Sequence, residues 1–319
     1  MQAPTLLAVP NVSEGRDEAT IAAIGRAFAW AGDTRARPAD SDRTPSRAVR
    51  LLDVHSDRDH HRSVFTIVGE PGALADALLA GARAAVERVD VMHRDVGEGS
   101  QSGQHPHVGA LDVAPVVYLD ESARGAACAT ALVVADRIAE ELEVPAFLYG
   151  ELTEGEPGTA RTRAQLRRGG VDGLSRRMAE EPLAPDFGQP RMHPSAGATL
   201  LAARPPLVAF NVQLAAPASI ADAQAIAALI REGGGEGLPG VRAIAVQLSG
   251  GIAQVSTNVE RPFEIPLASV IEAVGRHAAI ASAELVGLAP RAALEGLPAD
   301  IPLAGFDPAR HVIENALGC

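Results

Sequence analysis

Two periods of hydrophobicity alternate along this chain, and the order in which they occur repeats. Leu6–Val9 is an apolar run that predicts a short strand, and Asp17–Trp30 has the spacing of a helix with an acidic first turn. Val49–Val54 and Ser63–Val68 predict a hairpin joined by the polar stretch HSDRDHHR. Leu74–Val89 predicts a second helix and Ala110–Tyr118 a fourth strand, which completes the split order βαββαβ. A helix over Ser122–Leu142 and a strand over Ala146–Tyr149 extend it.

The second half runs through the same order. Leu207–Val212 predicts a strand, and Ser219–Arg231 a helix with Ser219 as its N-cap. Ala243–Leu248 and Ala253–Thr257 form a hairpin over SGGI, Leu267–Ala281 predicts a helix, and Leu285–Leu288 a strand. The opening strands rhyme: AVPNV places Asn11 where VAFNV places Asn211. The expectation is an α+β protein of two ferredoxin-like-related βαββαβ subdomains, packed through their sheets with helices outside. The Pro/Gly-rich passage PLAPDFGQPRMHPSAGA, residues 182–198, is the natural join, giving subdomains over 1–187 and 188–319. A ligand is expected in such an interdomain cleft. Residues 33–48 read as a surface loop, and 289–319 as a helical or extended tail.

Composition narrows the chemistry. The 319 residues are 47% hydrophobic, enough for an ample core, and no apolar run is long enough to span a bilayer. The N-terminal stretch has no basic start and no cleavage signal, so a cytoplasmic location is expected. Net charge is -12 without a basic run, which argues against nucleic acid as a partner. All 28 basic residues are arginine. The lack of lysine excludes Schiff-base chemistry, pyridoxal phosphate and a lysine-bearing phosphate loop. Anionic small molecules would then be held by arginine forks and backbone amides. Cys128 and Cys319 are the only cysteines, too few for a disulfide framework or a cysteine zinc site.

Five of the nine histidines cluster in two loops: His55, His60 and His61 in the first hairpin, and His105 with His107 in SGQHPHVGALDVAP. An imidazole ahead of an apolar strand suits proton transfer near neutral pH. His-Pro-His and Asp-His-His could alternatively ligate zinc. Asn11, Asp53, Asp112, Asn211, Gln254, Asn258 and Glu284 are polar positions inside apolar runs, and buried polar groups must be hydrogen-bonded. In AQVSTN, Gln254, Ser256 and Asn258 share one face of a strand, a polar row suited to a heteroaromatic ligand.

The chain resembles the glutamate formimidoyltransferase (formiminotransferase) family, the transferase portion of formiminotransferase-cyclodeaminase, without the cyclodeaminase domain. Nine segments carry the resemblance in order: VPNVSEGRD, LLDVHSDRDHHRSVFTIVGEP, HPHVGALDVAPVVYL, RIAEELEVPAFLYGE, PDFGQPRMHPSAGAT, LVAFNVQL, GLPGVRAIAV, AQVSTNVE and ELVGLAP. It implies two α/β subdomains with facing sheets, folate bound between them, and a homodimer. It also implies formimidoyl transfer from N-formimidoyl-L-glutamate to tetrahydrofolate as co-substrate, a step of histidine degradation and one-carbon metabolism. The family's catalytic histidine falls on His105, and its folate-binding stretch on Gly188–Gly197, with His193, Ser195 and Gly197 in it. Arg62 is the candidate carboxylate fork. Asn11, His55, Asn211, Gln254 and Asn258 are the remaining candidate substrate contacts, and no metal is expected. Three departures mark this chain: His107 stands where the family usually has arginine, extra residues within DVGEGSQSG precede Gln104, and His61 replaces a common Asn. They motivate two alternatives, a transferase with a different donor or amine acceptor, and a non-catalytic folate-binding paralogue.

Overall fold

A computed structural model describes residues 3–29, 49–93, 106–153, 155 and 159–318. His105, the DVGEGSQSG stretch and the 33–48 loop lie outside the described residues. The chain divides into two compact units, Met1–Pro205 and Pro206–Cys319.

In chain order the first unit contains β1 (Leu6–Ala8), β2 (Asn11–Val12), α1 (Glu18–Ala29), β3 (Arg50–Asp57), β4 (Arg62–Gly69), α2 (Pro71–Arg88), β5 (Leu111–Val117), α3 (Arg124–Leu142), β6 (Ala146–Leu148), α4 (Arg163–Arg167), α5 (Gly170–Glu180) and β7 (Thr199–Arg204). They build one sheet, in which β3, β4, the β1/β2 pair and β5 are antiparallel neighbours and β7 and β6 continue in parallel. β1 and β2 are one strand interrupted at Val9–Pro10, since proline has no N–H for the ladder. The carbonyl of Pro10 still accepts from Phe65 N at 2.9 Å, so pairing resumes beyond the break.

Alternation sorts the two faces. Phe65, Ile67, Leu6 and Ala8 point into a core built with Ile24 and Phe28 of α1 and Leu74 and Leu78 of α2. Phe28 and Phe65 meet with ring centroids 5.1 Å apart, a tilted aromatic pair at the centre of that layer. The opposite face carries Val64 and Thr66 of β4, and the register aligns His55, Val64 and Asn11 across β3, β4 and β2. Farther along the same sheet, α4 and α5 cover β5, β7 and β6. There Leu166 and Leu174 pack with Val113, Phe147, Leu200 and Ala202. Covered on both faces, those strands read as near-continuous apolar runs.

The second unit contains β8 (Val208–Leu214), α6 (Ile220–Ile230), β9 (Val241–Gln247), β10 (Ala253–Val259), α7 (Leu267–Gly275), β11 (Ile280–Val286), β12 (Leu303–Ala304), α8 (Pro308–His311) and α9 (Ile313–Leu317). Its sheet order is β12-β11-β8-β10-β9. Strands β9-β10-β8-β11 therefore repeat the arrangement β3-β4-β1/β2-β5, and both units have the split-βαβ topology expected of an internal repeat. Ser219 caps α6 as expected, in a capping box with Asp222.

Three sequence readings change. The join expected at 187/188 moves to Pro205–Pro206, because β7 is a sheet strand between β5 and β6 and the turn before it is tied to unit one. Ala146 N donates to Phe187 O at 3.0 Å and Ala110 N to Ala196 O at 2.9 Å. The helix expected over Leu267–Ala281 stops at Gly275, and residues 280–286 form β11 because Ala283 and Leu285 bury against the helices of that unit. Helices α4 and α5 had no counterpart in the hydrophobic pattern. Among the described residues no helix is long and apolar enough to cross a membrane.

Candidate active site

The candidate site starts from the turn between β3 and β4. Asp57 Oδ1 accepts the backbone N–H groups of Asp59 and His60, both at 2.8 Å, which folds the turn back on its own aspartate. His61 sits at φ +46°, in the left-handed region where Asn and His are several-fold enriched. That tolerance explains how a histidine can occupy this position. His61 Nδ1 accepts from Gly15 N at 3.1 Å, which leaves any ring proton on Nε2. Gly15 passes so close to the turn that a Cβ there would lie 2.1 Å from Asp57 O, hence the glycine in NVSEG. Ser63 Oγ donates to Glu14 O at 2.6 Å and completes the stitch between the β2–α1 loop and the hairpin.

Arg62 opens β4 directly opposite Asp57. Part of its surface is accessible, yet protein atoms crowd the guanidinium. Burial, followed by the charge of Arg167, lowers its pKa to about 9, with Asp112 opposing. An anion arriving there would relieve that burial penalty, which is what a carboxylate receptor requires.

Asp112 is fully buried on β5. Its Oδ1 accepts Val108 N at 2.9 Å and Arg167 Nε at 3.3 Å, while Oδ2 takes Arg167 Nη2. Arg167 is delivered by α4, whose start is fixed by a capping box between Thr162 and Gln165. Arg177 of α5 then ties the α4–α5 connection by donating to the carbonyls of Gln165, Leu166, Arg168 and Gly173. Ser13, His60, His61, Arg62, Pro106, His107 and Asp112 together line one small pocket. Pro106 and His107 directly follow His105, which itself lies outside the described residues.

The chain beyond His107 docks on the expected folate stretch. Gly109 lies against the carbonyl of Ala198, where a Cβ would come within 1.8 Å, and pairs with Gly197 in an isolated bridge. Val91 N donates to Ser195 O at 2.8 Å and Ala198 N to Val108 O at 2.9 Å. His193 closes this turn on itself, since its Nδ1 accepts from Ala196 N at 2.9 Å. Burial pulls its pKa below the usual histidine value, with Glu143 opposing, in keeping with an acceptor nitrogen. Gly188 sits elsewhere, at φ +88° against Ala139 of α3 and Pro145.

The structure thus gathers Arg62, His107 and Asp112 around one pocket and joins the Ser195–Gly197 turn to the strand beside it. Asn11 and His55 lie on the same sheet face as Val64, and Asn11 Nδ2 donates to Val9 O at 2.9 Å. In the second unit, Asn211, Gln254, Ser256 and Asn258 occupy the sheet face away from α6 and α7. Ser256, Asn211 and Glu284 are aligned across β10, β8 and β11, with Asn211 Nδ2 donating to Glu284 Oε2 at 3.1 Å. Sequence reasoning singled out Asp112 but not Arg163 or Arg167, which share its surroundings. Their only trace was the arginine-rich, threonine-capped stretch ARTRAQLRRGG. Among the described residues, no three His, Cys, Asp or Glu side chains are grouped to hold a metal ion.

Two split-βαβ units, one with guanidinium and imidazole groups gathered at one crevice and the other with a polar sheet face, define an α+β protein built on an internal repeat. A family model described as "Formiminotransferase domain, N-terminal subdomain" matches residues 5–204, ending where the first unit ends. The chain belongs to the formiminotransferase family. It is 33% identical over 317 residues to a glutamate formimidoyltransferase of Streptococcus pyogenes, covering 97% of each chain. It is likewise 33% identical to a glutamate formimidoyltransferase of Thermoplasma acidophilum, over 94% of this chain and 93% of that one. With the formimidoyltransferase-cyclodeaminase of Sus scrofa it shares 37% identity, over 90% of this chain and 50% of the relative.

Proposed function

We propose that this protein is a folate-dependent transferase that moves a formimidoyl group from N-formimidoyl-L-glutamate to tetrahydrofolate, giving 5-formimidotetrahydrofolate and glutamate. The crowded guanidinium of Arg62, bordered by imidazoles and followed in the same pocket by the Pro106–His107 wall, is the observation that carries the donor half of this reading. Near full-length similarity to proteins named for that transfer supports the whole.

In this reading Arg62 grips a donor carboxylate through two N–H groups, which fixes orientation as well as charge. One C–N bond must form at the formimidoyl carbon and another must break, with one proton leaving the attacking amine and one reaching the departing glutamate nitrogen. His105 performs both transfers, because an imidazole with an ordinary pKa of about 6.5 is base and acid by turns at neutral pH. Such transfer contributes about a hundred- to ten-thousandfold in rate, and holding both substrates in place supplies much of the rest. The Ser195–Gly197 turn, Gly188 and His193, with the polar rows of Asn11–His55 and Asn211–Gln254–Asn258, are the folate and substrate contacts of the proposal. It includes a cytoplasmic homodimer. The decisive assay follows 5-formimidotetrahydrofolate spectrophotometrically with N-formimidoyl-L-glutamate as donor. The wild type turns over and His105→Ala loses at least about a hundredfold while still binding folate; wild-type turnover by the variant overturns the role of His105. Because His107 occupies a position where the family usually has arginine, the second reading is a transferase with a different donor, for which this assay shows no product.

A further inference from the structure

Strand β3 pairs only with β4, so it forms an edge of the first sheet, and α1 leaves part of it uncovered. Leu51 and Val54 stand beside Ile67 and Phe65 in the ladder, yet they are half-buried where those neighbours are fully buried. Between them and α1 runs a groove of about 570 Å³, within the roughly 300–1,000 Å³ of small-molecule sites. Its floor is apolar, with Ile21, Ala22 and Gly25 of α1 against Leu51 and Val54. A Cβ at Gly25 would reach Phe65 Cε1 at 3.4 Å and Leu51 Cδ2 at 3.6 Å, in contact rather than collision. Packing therefore does not demand glycine there, and glycine is a poor helix former; its effect is to keep the floor open. None of the residues lining this groove lines the crevice around Arg62.

Both ends of the groove are cationic. Arg16 and Arg58 close one end, where Arg16 Nε donates to Arg58 O at 3.0 Å and Arg58 Nη1 to Arg16 O at 3.4 Å. Arg26, in the last turn of α1, stands at the other, roughly 12 Å along the helix from Glu18 at 1.5 Å per residue. Glu18 is the one acid among the described lining residues, so three guanidinium groups face one carboxylate in a chain whose acids outnumber its bases 40 to 28. Among the described residues, no carboxylate is paired with Arg26 or Arg58. We propose that this groove is a second small-molecule site, separate from the transfer site, for an elongated apolar molecule with an anionic group at each end, of the α,ω-dicarboxylate class. The floor takes the apolar body, and the guanidinium forks at the two ends take the carboxylates.

Calorimetric titration of the full chain with decanedioate, decanoate and 1,10-decanediol, three probes of one chain length and two, one or no charges, tests this. Decanedioate is expected to bind at least about tenfold more tightly than decanoate, and the diol not measurably, since each end of the ligand adds charge-assisted hydrogen bonds. Arg26→Gln brings decanedioate down to the affinity of decanoate, Arg58→Gln weakens both acids about tenfold, and Ala22→Trp, which fills the groove from an exposed position, abolishes binding of both. Added tetrahydrofolate leaves these affinities unchanged. No binding of decanedioate, equal affinity for diacid and diol, or a decanedioate affinity that Arg26→Gln or Ala22→Trp leaves intact overturns the proposal. Displacement of decanedioate by tetrahydrofolate assigns the probe to the transfer site and overturns it as well.

Discussion

Arg167 and Asp112 are joined by two hydrogen bonds deep in the first unit, and the oxygen that meets Arg167 Nε at 3.3 Å also accepts Val108 N at 2.9 Å. A buried ion pair is costly to desolvate, so its retention points to positioning rather than stability. Here the pair fastens the chain that runs from His107 into β5.

Breaking that pair from one side leaves an uncompensated buried charge. Arg167→Met is expected to lose about 3–5 kcal/mol in urea unfolding. The double variant Asp112→Asn/Arg167→Met loses less than Arg167→Met alone, since Asn still offers an acceptor to Val108 N. A double variant that loses the sum of the two singles would mean that the pair is not coupled.

Arg62 predicts the opposite balance. Burial and the charge of Arg167 both work against its protonated form. Arg62→Met, which keeps the aliphatic packing, is expected to leave the melting temperature unchanged or higher. It raises the donor KM by about 10- to 150-fold, the worth of lost charge-assisted hydrogen bonds at about 1.5–3 kcal/mol, with folate binding unaffected. Steady-state kinetics and thermal unfolding of the same preparation check both halves.

His193 carries a pH signature of its own. Its lowered pKa means that the unfolded chain takes up a proton before the folded one does. Its contribution is therefore full above about pH 6.5 and is lost as pH falls from there through the folded value. His193→Asn can keep an acceptor for the turn but does not titrate. The wild type is expected to lose stability relative to this variant between pH 7 and pH 5, in denaturant unfolding at each pH.

Two glycines with opposite surroundings make a matched pair. A Cβ at Gly109 would collide with Ala198 O, so Gly109→Ala is expected to unlock the 193–197 turn, lowering both stability and turnover. Gly125, in the first turn of α3, has nothing within 4 Å of its would-be Cβ. Gly125→Ala is expected to stabilise by about 0.4–1 kcal/mol with activity unchanged. Chemical denaturation of both variants distinguishes them.

Elements with a clear period were legible in the sequence. Strands such as β8 and β10 and helices such as α2 and α6 place buried and exposed positions at regular intervals, and the AVPNV/VAFNV rhyme marked the repeated unit. β7 was hidden because the proline- and glycine-rich residues just before it look like a linker, although they form a turn tied to Val108–Ala110. At the site, residue type pointed to Arg62 and the histidine loops. The partnership of Asp112 with Arg167, 55 residues away, could not be read, because long-range ion pairs have no periodicity.

The place of β7 between β5 and β6 sets where this protein can be divided. A fragment cut after residue 187 would lack the strand that bridges its neighbours and would present two raw edges, each a template for intermolecular pairing. Such a fragment is expected to aggregate on expression. One ending at Pro205 retains the bridging strand and is expected to remain monodisperse in size-exclusion chromatography.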